Sequence, residues 1–193
     1  MKDNVKKMVT LALLSALAYV VMVLIKIPII PSVDFLKYEP KDIIITIGGF
    51  MYGPAAVILM SVVVSFVEMI TVSTTGWIGA VMNLISTCAF ACTATIIYRR
   101  VHRLKGAVIG LVAGTIAMIA VMMLWNYFLT PIYMGYPRAA VAAMLPTVFL
   151  PFNAIKGGIN AVVTVLLYTP VVMALRKANL APYELEMLAE RGR

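Results

Sequence analysis

Long apolar runs separated by short polar breaks set the pattern of this chain. They cover residues 8–25, 43–72, 77–98, 107–129 and 157–175, with a shorter run at 139–152 that carries Pro146 and Pro151. A helix rises about 1.5 Å per residue, and a bilayer core of roughly 30 Å takes about 20 helical residues. The first run, 18 residues long, is enough for a span. No A-x-A cleavage site follows it, so it reads as a helix that stays rather than a signal that is removed. The second run, 30 residues long, is long for one crossing and short for two.

Charge resolves that ambiguity. Lys2, Lys6 and Lys7 precede the first run, and the strongest basic cluster is Arg99-Arg100-Val101-His102-Arg103-Leu104-Lys105. Basic residues mark the cytoplasmic side of a membrane protein. Both groups lie on that side only if run 43–72 crosses twice, turning at Gly48-Gly49 or at Gly53-Pro54, where helix-punctuating residues stand. The predicted fold is therefore an all-α membrane protein of six transmembrane helices with both termini cytoplasmic. It forms one domain over 1–193, with tails 1–7 and 177–193. Eleven of the sixteen basic residues then fall inside, Arg176, Lys177, Arg191 and Arg193 among them. The second helix, from near Lys41 to Tyr52, comes out short and needs neighbours to shield its ends or a locally thinner bilayer. Run 139–152 is expected to be an external or re-entrant piece.

Composition removes the soluble classes. The chain is 63% hydrophobic and 12% charged, with a mean hydropathy of +1.00. A water-soluble domain is about a quarter charged. The net charge of +8 is spread between apolar runs rather than gathered with aromatics on one polar face, which excludes a nucleic-acid reader. Cys88 and Cys92 share a helix face but lack His or carboxylate partners, so they read as small packing residues and not as a metal site.

The polar residues that remain sort toward the outer side. The connection after the first span ends in Lys37-Tyr38-Glu39-Pro40-Lys41-Asp42. Glu68 lies about one turn inside the outer end of the third span, Asn83 about two turns into the fourth, and Asn126 and Tyr127 near the outer end of the fifth. Asn153, Lys156, Asn160 and Thr164 recur at i, i+3, i+7 and i+11, which makes one polar stripe on the last span. An ionisable side chain near the centre of a span costs at least about 2.5–3.5 kcal/mol on insertion scales. Glu68 and Lys156 therefore need partners or a wet cavity. For Glu68 the simpler reading is pairing with a structural lysine, and for Lys156 it is snorkelling to the interface. Tyr38, Trp77 and Tyr127 read equally as interfacial belt aromatics. The stripe is more specific than any of its members, because three polar groups on one face call for a polar cavity. Amides, hydroxyls, a lysine and a few carboxylates suit a largely neutral ligand that is multiply hydroxylated or carries ring carbonyls.

Several chemistries are missing. There is no G-x-x-x-x-G-K-[ST] phosphate loop for ATP hydrolysis. The only histidine, His102, sits in a basic loop, away from any Ser–His or zinc arrangement. No enzyme activity and no resident cofactor are expected. Ala12 and Ala16 form a small-xxx-small pair on the first span, suited to close approach of another helix, either a partner's or one of its own.

Four segments carry a family likeness: Phe35-Leu36-Lys37-Tyr38-Glu39-Pro40-Lys41-Asp42, Ser73-Thr74-Thr75-Gly76-Trp77-Ile78-Gly79, Asn126-Tyr127, and Leu150-Pro151-Phe152-Asn153-Ala154-Ile155-Lys156. Together they resemble the riboflavin-binding S components of energy-coupling factor (ECF) vitamin transporters, over nearly the whole chain apart from its C-terminal tail. The resemblance implies six helices, riboflavin bound on the outer side of the cell membrane of a prokaryote, and a loop after the first helix that covers the site. It also implies docking on a module made of a transmembrane coupling protein and two ATPase subunits, with Ala12 and Ala16 at the docking face. Binding roles carry over best to Asn153 and Lys156, then to Asn126 and Glu39. Leu36, Lys37, Tyr38, Glu68, Trp77, Asn83, Tyr127 and Asn160 complete the set of expected ligand-binding residues. The readings left open are an S component for another vitamin and a solitary proton-coupled carrier with Glu68 as its proton site.

Overall fold

A computed structural model describes residues 2–30, 33, 36–73, 76–101, 103–178 and 180. Phe35, Thr74, Thr75, His102 and the tail beyond 180, with Arg191 and Arg193, lie outside the described residues.

The chain forms α1 (Lys2–Leu24), two short strands β1 (Ile27–Pro28) and β2 (Lys37–Tyr38), then α2 (Lys41–Tyr52), α3 (Pro54–Thr71), α4 (Gly76–Val101) and α5 (Leu104–Met134). A short α6 (Arg138–Met144) passes through a π-helical turn (Leu145–Phe149) into α7 (Leu150–Lys177). Among the described residues, five helical stretches are long and apolar enough to cross a membrane. They are apolar on both sides. On α1, Leu11, Leu14, Ala18 and Met22 are buried while Leu13, Leu17, Val20 and Leu24 are exposed. A helix apolar all round suits a lipid-facing surface and not water, and the chain is a multi-pass membrane protein.

The short helix is the exception that organises the rest. With 12 residues, α2 rises only about 18 Å. It is buried from Lys41 through Met51 by α1, α3, α4 and α7. Neighbours on every side supply the shielding its length demands. The break falls at Gly53, whose φ of 94° lies in the region glycine tolerates, and Pro54 starts the next helix where its missing N–H costs nothing. Gly48 and Gly49, the other turn expected from the sequence, sit inside α2. There a side chain on Gly49 would meet Thr95 and Val57.

Run 139–152 is not separate from the last span. It is helical and continuous with the last span, which begins at Leu150 rather than at 157. Pro146 lies in the π-helical segment and Pro151 just after it, so the irregular turn falls where the prolines remove backbone donors. Val141 and Phe149 are fully buried and anchor this segment on α5.

The end of the bundle that carries Arg99 is closed by aromatics. Phe50 and Tyr98 have ring centroids 4.4 Å apart, Tyr168 meets both edge-on, and the Tyr98 and Tyr168 hydroxyls lie 2.9 Å apart. The tightest helix pair is α4 with α5. A Cβ on Gly110 would fall 2.5 Å from the Ala94 carbonyl oxygen, and one on Gly114 would fall 2.4 Å from that of Phe90. Backbone cannot yield as a flexible side chain does. Gly114→Ala is expected to cost about 1–3 kcal/mol, read as a lower unfolding temperature in detergent. Gly158→Ala, where a Cβ meets nothing within 4 Å, is expected to show no such loss.

Candidate functional site

The site lies at the end of the bundle opposite the aromatics, where α2 begins. Pro40 precedes that helix and Asp42 occupies its first turn, where the positive end of the helix dipole favours an anion. Two adjacent side chains, Lys41 and Asp42, are therefore carried into the interior together. Each is almost completely buried.

Each is matched. The Asp42 carboxylate receives the Thr87 hydroxyl on Oδ1 at 2.6 Å, and on Oδ2 the Lys156 ammonium at 3.1 Å and the Asn160 amide at 3.3 Å. The Lys41 ammonium pairs with Glu68, lies 3.3 Å from Glu39, and touches the Met22 sulfur at 3.4 Å. Glu68 accepts a further bond from Asn83 Nδ2 at 2.9 Å, and Glu39 faces Lys26 at 3.6 Å. Buried charges persist only when paired, and each lysine has a carboxylate partner.

The connection between α1 and α2 is fastened to this network. Its ends pair as an antiparallel ladder, Ile27 with Tyr38 and Pro28 with Lys37. The Tyr38 hydroxyl donates to Asn160 Oδ1 at 3.0 Å. Burial, followed by the charge of Asp42, pushes the Tyr38 phenol up to about 12, so it keeps the proton that it donates.

Beside the network is a cavity of about 710 Å³, counting its open mouth. Leu36 and Lys37 of the connection form one side. Ile78, Gly79, Met82, Asn83 and Ser86 of α4 form the second. Met122, Asn126, Thr130 and Tyr133 of α5 form the third, and Phe152, Asn153 and Lys156 of α7 the fourth. Several polar groups are already committed. Asn126 donates to the Met122 carbonyl at 2.7 Å and accepts from Thr130 at 3.1 Å, while Asn153 donates to the Phe149 carbonyl at 2.8 Å. With its Nδ2 so engaged, Asn153 has its Oδ1 to offer as an acceptor, and Asn83, engaged with Glu68, has the same. Lys156 offers N–H donors. The buried Ser86 hydroxyl has no hydrogen-bond partner among the described residues. Between apolar walls, this set suits a flat ligand with both N–H or O–H donors and carbonyl acceptors.

Of the expected ligand residues, Leu36, Lys37, Asn83, Asn126, Asn153 and Lys156 come together on the cavity. Tyr38, Glu39, Glu68 and Asn160 stand behind its wall, in the charge network. Glu68 meets Lys41, as in the simpler reading of that residue. Trp77 is largely exposed, and Tyr127 is half-buried with its ring edge-on to Phe128; neither lines the cavity. Thr164 ends the α7 stripe fully buried. Sequence reasoning missed Asp42 and Thr87 as partners, and Ser86, Thr130, Tyr133, Met82, Met122 and Phe152 as lining. Asp42 carried a signal, an acid at the head of an apolar run. The apolar lining carried none.

A second concavity lies on the side of the bundle between α1 and α3. Ala12, Ser15, Ala16 and Tyr19 face Leu59, Val63 and Val67 across it, and both alanines are exposed. Cys88 and Cys92 are half-buried on α4, and among the described residues no cluster of His, Cys, Asp and Glu fits a metal ion.

Comparison with known proteins agrees with this architecture. Residues 6–168 match the family model described as ECF transporter, substrate-specific component. The riboflavin transporter RibU of Staphylococcus aureus (strain TCH60) is 31% identical over 183 residues, covering 92% of this chain and 95% of that protein. The riboflavin transporter FmnP of Bacillus subtilis (strain 168) is 31% identical over 174 residues, covering 86% and 91%. A solved S component of a bacterial ECF transporter superposes with a TM-score of 0.77 at 29% identity, covering 89% of this chain and 98% of that one. The chain thus belongs to the substrate-specific components of ECF transporters, a family of transport subunits and not of enzymes.

Proposed function

We propose that this chain is the riboflavin-capturing subunit of an ECF-type vitamin transporter in the plasma membrane of a prokaryote. It binds the vitamin from outside and releases it inside after docking on a coupling protein and two ATPase subunits. Both termini face the cytoplasm, with the cavity at the outer end. The observation that carries the ligand assignment is the wall in which Asn153 and Lys156 stand one turn apart on α7, an acceptor beside a donor. A flavin ring has a ring N–H next to carbonyl oxygens, and its ribityl chain supplies hydroxyls for Ser86 and the α5 side chains. Leu36, Ile78, Met82 and Phe152 are the apolar surfaces for the ring faces. The relatives named as riboflavin transporters favour this vitamin over others.

Docking is assigned to the α1–α3 groove. Small residues admit a partner helix closely, and the exposed Ala12 and Ala16 line the groove.

Titration of the purified protein in detergent, followed by quenching of flavin fluorescence, tests the ligand. Lys156→Ala is expected to weaken riboflavin binding roughly tenfold or more, about 1.4 kcal/mol; unchanged affinity counts against the assignment. Replacing Ala12 and Ala16 by leucine is expected to leave that affinity intact and to abolish co-purification with the coupling protein.

A further inference from the structure

Three amides line the cavity, and each has its N–H₂ held by a partner. Asn126 gives it to the Met122 carbonyl and Asn153 to the Phe149 carbonyl, each one turn back along the chain. Those acceptors are backbone, fixed by the helix itself. Asn83 instead gives its N–H₂ to Glu68 Oε1, a side chain of α3, at 2.9 Å. Its orientation is therefore set by another helix.

Glu68 is buried and does not line the cavity. Its second oxygen, Oε2, pairs with the Lys41 ammonium. An ammonium has three N–H donors and no acceptor. Those of Lys41 are matched by Glu68, by Glu39 at 3.3 Å and by the Met22 sulfur at 3.4 Å. With Lys41 fixed at one oxygen, the Glu68 carboxylate presents an acceptor to Asn83 at the other. Asn83 meets an acceptor only with its N–H₂, so Oδ1 is the atom it has left for the cavity.

We propose that Glu68 is a positioning residue that sets the hydrogen-bonding polarity of the α4 wall: held by Lys41, it makes Asn83 an acceptor and so selects a ligand hydroxyl that donates there. This rests on the riboflavin assignment above and deepens it. Asn83 and Ser86 are three residues apart and share one face of α4. They address the ribityl chain, while Asn153 and Lys156 on α7 take the ring. Replacing Glu68 by glutamine exchanges one oxygen for an N–H₂ group in a residue of the same shape. The Lys41 ammonium still requires an oxygen and takes the one that remains. The new N–H₂ then faces Asn83, which turns Oδ1 toward it and offers its own N–H₂ to the cavity. An acceptor in the wall becomes a donor, through a side chain that does not touch the ligand.

The test uses riboflavins in which one ribityl hydroxyl at a time is replaced by fluorine, which cannot donate. Each is titrated against the full chain in detergent by quenching of flavin fluorescence, with riboflavin as the reference. On the wild-type protein, one analogue is expected to bind about tenfold weaker than riboflavin for the hydrogen bond it cannot give to Asn83. In Glu68→Gln that penalty is expected to disappear, while the other analogues keep theirs. Adding Asn83→Asp to Glu68→Gln is expected to bring it back. The glutamine N–H₂ then donates to the new carboxylate, whose second oxygen faces the cavity as an acceptor. A Glu68 that served only to neutralise Lys41 would shift riboflavin and every analogue together. That outcome, or an unchanged pattern in Glu68→Gln, overturns the proposal while leaving riboflavin capture standing. If Glu68→Gln alone does not fold, the double variant carries the test, and its failure to show the wild-type pattern, folded or not, overturns the proposal. A wild-type protein that does not bind riboflavin overturns both readings.

Discussion

The structure depends on two buried charges placed side by side. Lys41 and Asp42 enter the interior at the first turn of α2, and neither can be there alone. Taking a charged group out of water costs several kcal/mol even after relaxation, and removing one member of a buried pair costs about 3–5 kcal/mol. The sequence answers with partners from four other elements: Glu39 from the connection, Glu68 from α3, Thr87 from α4, and Lys156 with Asn160 from α7. Satisfying these two side chains therefore fixes how those elements meet at the end of the bundle opposite the aromatics. The cavity lies beside this junction, with α5 as a further wall.

The same constraint explains the shape of α2. A helix of this length cannot cross a bilayer with its ends bare, so it is sheathed by α1, α3, α4 and α7. Its polar head builds the site, while Phe50 near its tail joins Tyr98 and Tyr168 in closing the opposite end. A cavity open at one end and sealed at the other suits capture more than conduction. The docking proposed at Ala12 and Ala16, on the side of the bundle, would leave the binding end free.

Much of this was legible in the order of residues. Run lengths and the basic clusters led to the spans, and the interval from Lys41 to Tyr52 marked the short helix at its true limits because a charge pair opens it and Gly53-Pro54 ends it. The i, i+3, i+7, i+11 stripe on α7 turned inward as its spacing required, with all four members buried. The pairings were not legible. Asp42 meets Asn160 across 118 residues and Lys41 meets Glu68 across 27, and local spacing carries no information about such contacts. The helical continuity from Arg138 into α7 was hidden for another reason. Two prolines read as breaks, and a π-helical turn that accommodates the first of them has no sequence signature of its own. Trp77 and Tyr127 were candidates from the segments that carry the family likeness, and position decided against them as cavity lining.

In the function proposed above, a capture subunit without a phosphate loop takes its energy from partners. Flavin uptake into vesicles tests this most directly. Vesicles carrying only this chain should bind riboflavin without concentrating it, and adding the coupling protein, both ATPase subunits and ATP should produce accumulation. Accumulation by the chain alone, collapsed by an uncoupler, would contradict the account.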